Sequence, residues 1–188
     1  TKNIPVAAGL AGGSADAAAV IRAAGNFFDI SMAEQFKVAQ TLGADVPACL
    51  MSRSLFMSGI GEKLLLAPDV PSLPIILVCP PFKLSSSEVF NKFEQLSHTP
   101  PPPIKKVRNL HEFTELLNNF RNDLTVAAES LVPTIREIRE VIVEQPGCLI
   151  SRMSGSGPAC FGIFQNNSDA KKAVKNISSK QPNWWIVE

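Results

Sequence analysis

A run of small residues at positions 5–15 leads directly into an alanine-rich helical pattern, and this feature constrains the chain most. Three glycines and four alanines leave the backbone open enough for an anion to reach successive N–H groups. The helix that follows contributes unpaired amides and the positive end of its dipole. The pattern predicts a phosphate-binding loop formed by Pro5, Val6, Ala7, Ala8, Gly9, Leu10, Ala11, Gly12, Gly13, Ser14 and Ala15.

The spacing differs from the two most familiar nucleotide-binding patterns. No Lys-Ser or Lys-Thr pair follows the last glycine, and no G-x-G-x-x-G run with a later acidic residue is present, which argues against a dinucleotide-dependent oxidoreductase. The alternative to a phosphate loop is a glycine-rich turn into a close-packed helix. If phosphate does bind, the Ser14 hydroxyl could meet a phosphate oxygen or a magnesium ion.

Composition excludes several other classes of protein. The 188 residues are 45% hydrophobic and 19% charged, which is typical of an ordinary globular protein of one large or two small domains. A net charge of +1 gives no electrostatic footprint for a polyanion, so we expect no nucleic-acid partner. No apolar stretch is long enough to span a membrane, and no secretory signal is recognisable, so we expect no membrane association.

The metal-binding and redox side chains are few and scattered. Cys49, Cys79, Cys148 and Cys160 lie singly among apolar neighbours, which predicts small buried core residues in a reducing, cytoplasmic setting. Two histidines, at positions 98 and 111, are too few for a ligand cluster, and we predict no protein metal site. The chain begins at a threonine and the loop starts within the first five residues, so we expect that an upstream segment is missing.

The first part of the chain predicts two helices and a pair of short strands. Apolar residues recur at helical spacing as far as Phe28, with Ser14 placed to cap the helix and Asp16 in its first turn. Ser31 and Glu34 form a capping box for a second helix, which Gly43 ends. Two short strands are expected within 54–66, around Gly59-Ile60-Gly61, followed by a linker at 68–74.

The second part predicts helices over one small sheet. We place a domain boundary near Pro71, giving domains 1–70 and 71–188, and expect an exposed loop at the prolines 100–103. The expected strands are 75–79, 149–153, 159–164 and 184–187. The expected helices open at the Ser85/Glu88 capping box and span 110–118, 123–131, 133–144 and 168–178.

Two further segments are candidates for chemistry. Asp45, in Gly43-Ala44-Asp45-Val46-Pro47, is expected at a helix-to-strand turn, where it is either a structural turn residue or a base for a substrate hydroxyl that attacks a phosphoryl group. The turn Ser154-Gly155-Ser156-Gly157 joins two strands. Its glycines either approach a ligand closely or serve only the geometry of a hairpin.

Together and in this order, these segments resemble the GHMP kinases, a family named for galactokinase and for homoserine, mevalonate and phosphomevalonate kinases. The likeness runs from end to end and includes Asn122-Asp123-Leu124 and the segment from Arg152 to Phe161. The resemblance implies an α+β fold of two domains. The N-terminal part would be like domain 2 of ribosomal protein S5, incomplete here, and the C-terminal domain would be ferredoxin-like.

Within that family, Ala44-Asp45-Val46-Pro47 and Gly59-Ile60-Gly61-Glu62 favour the branch that phosphorylates cytidine diphosphate-methylerythritol in the non-mevalonate isoprenoid pathway. The resemblance implies ATP and Mg²⁺ as cofactors, with residues 5–15 around the ATP phosphates and Asp45 as base or orienting carboxylate. It implies that Ser154 to Gly157 border the active cleft, and that Lys2 lies near the nucleotide.

The sequence also departs from the family pattern. The family loop is usually richer in glycine, so Ala7, Ala8 and Ala11 place added bulk beside the phosphates. The family's N-terminal segment, with its lysine paired to the catalytic aspartate, is absent, so we expect this chain alone to be inactive. The alternatives are another GHMP small-molecule kinase and a non-catalytic nucleotide-binding fragment. We expect a monomer or weak homodimer, with a separate N-terminal fragment as a further candidate partner.

Overall fold

The computed structural model describes residues 3–94 and 107–188. The chain divides into two compact units. The N-terminal unit comprises residues 11–70, whereas the C-terminal unit combines the residues up to Leu10 with those from Pro71 onward. The predictions made for Lys2, for the histidine at position 98 and for the prolines 100–103 lie outside the described residues.

The N-terminal unit is built from three helices and an antiparallel strand pair. Its elements are α1 (Gly12–Phe28), α2 (Met32–Leu42), α3 (Val46–Met51), β1 (Leu55–Ser58) and β2 (Lys63–Leu66). Helix α1 packs against both α2 and α3. The three helices bury a small core of Ala18, Ile21, Ala39, Val46 and Leu50. The predicted capping box is confirmed, since Ser31 accepts from the Glu34 amide and the Glu34 carboxylate accepts from the Ser31 amide.

Three sequence predictions for this unit are wrong. Helix α1 begins at Gly12 rather than after Ser14, and its N-cap is Ala11, whose carbonyl accepts from the Ala15 amide at 2.9 Å. Ala11 is in the left-handed conformation, and the helix starts earlier than the predicted serine cap would start it. Asp16 therefore lies beyond the first turn, which contains no acidic residue. Asp45 does not precede a strand, because helix α3 follows it, with Pro47 in the first turn, where its missing N–H costs nothing.

The C-terminal unit is an antiparallel sheet with helices. Its elements are β3 (Ile75–Cys79), α4 (Ser86–Lys92), α5 (Leu110–Asn118), α6 (Thr125–Leu131), α7 (Thr134–Val143), β4 (Cys148–Met153), β5 (Cys160–Phe164), α8 (Asn167–Lys180) and β6 (Trp185–Val187). The strand order is β4-β5-β3-β6, and every neighbouring pair is antiparallel. With the intervening helices this is the order of a ferredoxin-like fold.

Alternation along β3 and β5 separates the two faces of this sheet. Ile76, Val78 and Phe164 belong to a large core with the apolar faces of α7 and α8. Gly162 allows α7 to approach closely, since a Cβ there would lie 2.5 Å from Cγ2 of Ile142. On the opposite face, Cys79 packs in a second, smaller core.

Three predicted helix starts in this unit need adjustment. Ser85 is the N-cap of α4, but its side chain makes no capping hydrogen bond, so the predicted Ser85/Glu88 box is wrong. The Ser85 hydroxyl instead pairs with that of Ser87. Helix α6 starts at Thr125 rather than Asp123, and Pro133 is the N-cap of α7 rather than its first residue. Within the described residues, every helix is too short or too polar to cross a membrane.

Candidate active site

The first half of the predicted phosphate loop belongs to the C-terminal unit and is anchored in its smaller core. Ala8 is 4% exposed and packs with Cys79 and Ala159. The Ala8 carbonyl accepts a hydrogen bond from the Ala159 amide at 3.1 Å. The methyl group of Ala8 therefore fills the protein interior, which removes the expectation that it adds bulk beside a ligand.

Gly9 lies directly against the turn Ser154–Gly157. The Ser154 hydroxyl donates to the Gly9 carbonyl at 2.9 Å. A Cβ on Gly9 would lie 2.5 Å from the Ser154 carbonyl oxygen and 2.7 Å from that of Gly157, and the Gly9 φ of +69° already disfavours a side chain. Position 9 therefore admits only glycine, because both neighbours are backbone atoms that cannot move aside.

The turn itself is closed by backbone hydrogen bonds. The Gly157 amide donates to the Ser154 carbonyl at 2.9 Å, and the Ser154 amide donates to Ala159 at 2.9 Å. Gly155 and Gly157 have φ values of +53° and +81°, which favour glycine. The geometry of the hairpin therefore explains some of the need for glycine in this turn, in line with the alternative raised from the sequence. The close contact with Gly9 explains another part of it.

The second half of the loop opens α1 in the N-terminal unit. The N-cap of this helix, Ala11, makes no side-chain capping hydrogen bond. A Cβ built on Gly13 would have no neighbour within 4 Å, so the protein's own packing does not require glycine there. Ser14 lies within this turn. Amides at an uncapped helix start, beside a bare Cα, suit an anionic ligand.

Asp45 stands at the N-terminal end of α3 in the same unit as the start of α1. The residue is exposed, and its carboxylate makes no capping hydrogen bond to α3. Its main chain is held firmly, because the Val46 amide donates to Gly43 at 3.2 Å and the Cys49 amide donates to the Asp45 carbonyl at 3.0 Å. The side chain is thus accessible on a fixed backbone.

The β1–β2 turn supports the backbone just before Asp45. Gly61 has a φ of +98°, and a Cβ on it would lie 2.2 Å from the Ala44 carbonyl oxygen. The Glu62 carboxylate accepts from the Ile60 amide at 2.6 Å, which closes the turn. The Gly59–Glu62 segment therefore packs directly against the backbone that leads into Asp45.

An open cleft of about 1150 Å³ in the N-terminal unit lies between α1 and α3. Ala15, Arg22 and Cys49 contribute to its lining, and the Arg22 guanidinium donates to the Cys49 carbonyl at 2.9 Å. Burial raises the pKa of the Cys49 thiol, the charge of Asp45 raises it further, and Arg22 partly offsets both. The thiol beside Asp45 therefore remains protonated at neutral pH.

The other thiols are inert for a similar reason. Burial raises the pKa of Cys79 to about 11 and that of Cys160 to about 12. Cys148 is half-buried, and burial raises its pKa as well. All four cysteines are free. Over residues 3–94 and 107–188, no group of three or more His, Cys, Asp or Glu side chains could hold a metal ion.

Sequence reasoning missed the role of Asn122. Its side-chain amide donates to the carbonyls of Met153, at 3.1 Å, and Gly155, at 2.8 Å. The motif Asn122-Asp123-Leu124 carried the family resemblance, but nothing in its spacing indicated a contact with a turn more than thirty residues away.

Two family models match the chain. Residues 1–53 match the GHMP kinases N terminal domain, and residues 103–183 match the GHMP kinases C terminal model. The chain belongs to the GHMP kinases, and its mixed helix and sheet architecture is that of the family.

Curated relatives show which kind of GHMP kinase the chain is similar to. The chain is 45% identical to a 4-diphosphocytidyl-2-C-methyl-D-erythritol kinase from Ehrlichia ruminantium (strain Gardel), over 98% of this chain and 66% of the relative. It is 41% identical to the protein of the same name from Chelativorans sp. (strain BNC1), over 98% of this chain and 64% of the relative. The chain thus spans slightly less than two thirds of the length of these relatives.

Solved structures agree with this grouping. A crystal structure of 4-(cytidine 5'-diphospho)-2C-methyl-D-erythritol kinase matches with a TM-score of 0.77 and 29% identity, covering 98% of this chain and 67% of the other. A homoserine kinase from Cytophaga hutchinsonii matches with a TM-score of 0.66 and 13% identity, covering 100% of this chain and 68% of the other. The second likeness shows the shared fold alone.

Proposed function

We propose that the complete protein is an ATP-dependent kinase that phosphorylates the 2-hydroxyl of 4-diphosphocytidyl-2-C-methyl-D-erythritol. The products would be ADP and the 2-phosphate. The observation that carries the proposal is the 39–45% identity, along nearly the whole chain, to relatives named for this substrate. The reaction would supply a precursor for isoprenoid biosynthesis.

The ATP phosphates would bind at the loop formed by residues 5–15. Transfer of a phosphoryl group asks a protein mainly to position the reactants and neutralise charge, and backbone amides with a helix dipole do both. The open space over Gly13 and the uncapped start of α1 fit a polyphosphate. Mg²⁺ would neutralise phosphate charge, and the Ser14 hydroxyl is the loop group able to contact it.

Asp45 would act on the acceptor alcohol. As the new oxygen–phosphorus bond forms and the bond from the γ-phosphorus to the bridging oxygen of ADP breaks, the hydroxyl proton would pass to the carboxylate of Asp45 or be oriented by it. An exposed carboxylate that does not cap its own helix is available for this role. Ser154 to Gly157 would support the first half of the phosphate loop through their contact with Gly9.

The proposal extends to the setting of the enzyme. Four free cysteines, two of them fully buried, suit a reducing compartment, and we place the protein in the cytoplasm. We expect a monomer or weak homodimer and a small-molecule substrate, with neither nucleic acid nor membrane as partner.

The test is an ADP-release assay on the complete protein with ATP and Mg²⁺. We expect turnover with 4-diphosphocytidyl-2-C-methyl-D-erythritol and little or none with homoserine or mevalonate. Greater turnover with either of the last two would assign the protein to another branch of the family. ATP binding without turnover of any of the three alcohols would favour a non-catalytic nucleotide-binding protein.

A further inference from the structure

The side chain of Asn122 holds the turn Ser154–Gly157 by two of its peptide groups. Both bonds have ordinary lengths, 3.1 Å to the Met153 carbonyl and 2.8 Å to that of Gly155. The remaining polar atom, Oδ1, accepts from the Leu124 amide at 3.1 Å, just before α6 begins. The amide group of Asn122 is therefore engaged at both ends, between the entrance of α6 and the turn.

Fixing these carbonyls also fixes the amides that follow them. In a trans peptide the C=O and N–H point in opposite directions. The Met153 carbonyl faces Asn122, and the Ser154 amide accordingly faces the other way and donates to Ala159. The same planarity orients the Ser156 amide away from Asn122, because the Gly155 carbonyl is held.

The turn transmits its position to the first half of the loop. The Ser154 hydroxyl holds the Gly9 carbonyl, and a Cβ on Gly155 would lie only 3.0 Å from that same oxygen. Between Gly155 and Gly9 backbone packs directly on backbone, because neither residue has a side chain. A change in the orientation of the Gly155 peptide would therefore displace Gly9.

We infer that Asn122 is a positioning residue for nucleotide binding, which acts by holding the Ser154–Gly157 turn against Gly9. The inference rests on the proposed function, because it takes residues 5–15 as the site of the ATP phosphates. The donor N–H groups of Asn122 supply the effect, whereas its acceptor oxygen serves only the start of α6.

The substitution Asn122→Asp separates these two contributions. Aspartate keeps the shape and the acceptor for the Leu124 amide, but it replaces both donors with an oxygen that repels the two carbonyls. The matched control is Asn119→Asp, three residues earlier, where the amide donates to the Glu115 carbonyl at 3.0 Å on the exposed end of α5. Both variants lose amide-to-carbonyl bonds and gain one negative charge, but only the first touches the turn.

The experiment measures ATP affinity by calorimetry and steady-state kinetics on the complete protein, with unfolding followed in parallel. Loss of two hydrogen bonds predicts that Asn122→Asp raises the Kd and the KM for ATP about tenfold or more. The KM for the acceptor alcohol is expected to stay within about twofold, and Asn119→Asp is expected to leave all three constants within about twofold.

Several outcomes would overturn the inference. Equal ATP affinities in Asn122→Asp and Asn119→Asp would overturn the inference about Asn122 but not the proposed function. A rise of the same size in the KM for ATP and the KM for the alcohol of Asn122→Asp would do the same. If Asn122→Asp does not fold, Ser154→Ala, which removes the bond to Gly9, must raise the KM for ATP at unchanged KM for the alcohol. Failure of the parent protein to bind ATP would instead reject the proposed function, and the inference with it.

Discussion

The two units hold their candidate site residues in different ways. In the C-terminal unit, Gly9 and the Ser154–Gly157 turn are fixed by the Ser154 hydroxyl and by close backbone packing, and the sheet has fully buried core residues such as Ile76 and Phe164. In the N-terminal unit, Gly13 and Asp45 face open space above a core of five residues. The comparison separates glycine required by the fold from glycine available to a ligand.

The apolar cores show the same contrast. Both units expose some large apolar side chains, such as Ile60 at 85% and Phe90 at 60%, but the N-terminal core has only five buried residues. The described part of the C-terminal unit has a core in which α7 and α8 contribute Ile135, Ile138, Ile142 and Ile177 without exposure. A small core buries little apolar surface, which limits what packing contributes to the stability of the N-terminal unit.

The largest expected effect concerns Asp45 in the N-terminal unit. Asp45→Asn should lower turnover in the complete protein by about 10²–10⁴-fold with little change in ATP affinity, since the carboxylate would act on the acceptor proton. Asp29→Asn, at the exposed end of α1, is the control and should retain turnover. ADP release and calorimetry measure the two quantities, and near-normal turnover of Asp45→Asn would reject the role.

Substitution of Gly9 tests whether close backbone packing in the C-terminal unit requires glycine. Gly9→Ala should lower the free energy of unfolding by about 2–4 kcal/mol, because the new methyl would meet two carbonyl oxygens at a left-handed φ. Denaturant titration of the unliganded protein measures the change. An unaltered midpoint would mean that the turn and Gly9 separate at little cost.

Gly13 is the matched test in the N-terminal unit. Gly13→Ala should leave the free energy of unfolding unchanged or raise it by up to about 1 kcal/mol, because alanine favours the helix and meets no neighbour. ATP affinity should nevertheless fall, by about tenfold, since the methyl would occupy the path of the phosphates. Calorimetry showing full affinity would place the phosphates elsewhere.

The smallest expected effect is a difference in thiol reactivity. At pH 8, iodoacetamide should modify half-buried Cys49 before Cys79 and Cys160, whose pKa values of about 11 and about 12 leave almost no thiolate. Because each of these pKa values is raised, the rates should climb with pH above 8. Mass spectrometry of proteolytic peptides from the labelled protein gives the order, and earlier labelling of Cys160 would mean that the sheet opens readily.

Local signals predicted most of the secondary structure. The Ser31 capping box, the strand pair around Gly59-Ile60-Gly61 and the strand at 75–79 were all readable, because turn residues and periodicity act over a few positions. Helix α1 was predicted from its apolar spacing, but its start was not, since a left-handed alanine at position 11 replaces the expected serine cap.

The long-range parts of the site were beyond such signals. Gly9 and Ser154 are 145 positions apart, and Asn122 reaches Gly155 across 33. Each motif showed the residue types its chemistry needs, but not which glycine faces backbone and which faces open space. Helix α3 was missed because its few residues around Pro47 read as a turn.

The burial of Ala8 has a practical consequence for dissecting this protein. Because residues near the start of the chain complete a core with Cys79 and Ala159, a fragment starting at Pro71 would contain a cavity and an Ala159 amide without its acceptor. A circular permutant that appends residues 1–10 behind Glu188 through a flexible tether would restore both. Gene fragmentation at the apparent border would therefore cut through a folding unit rather than between two.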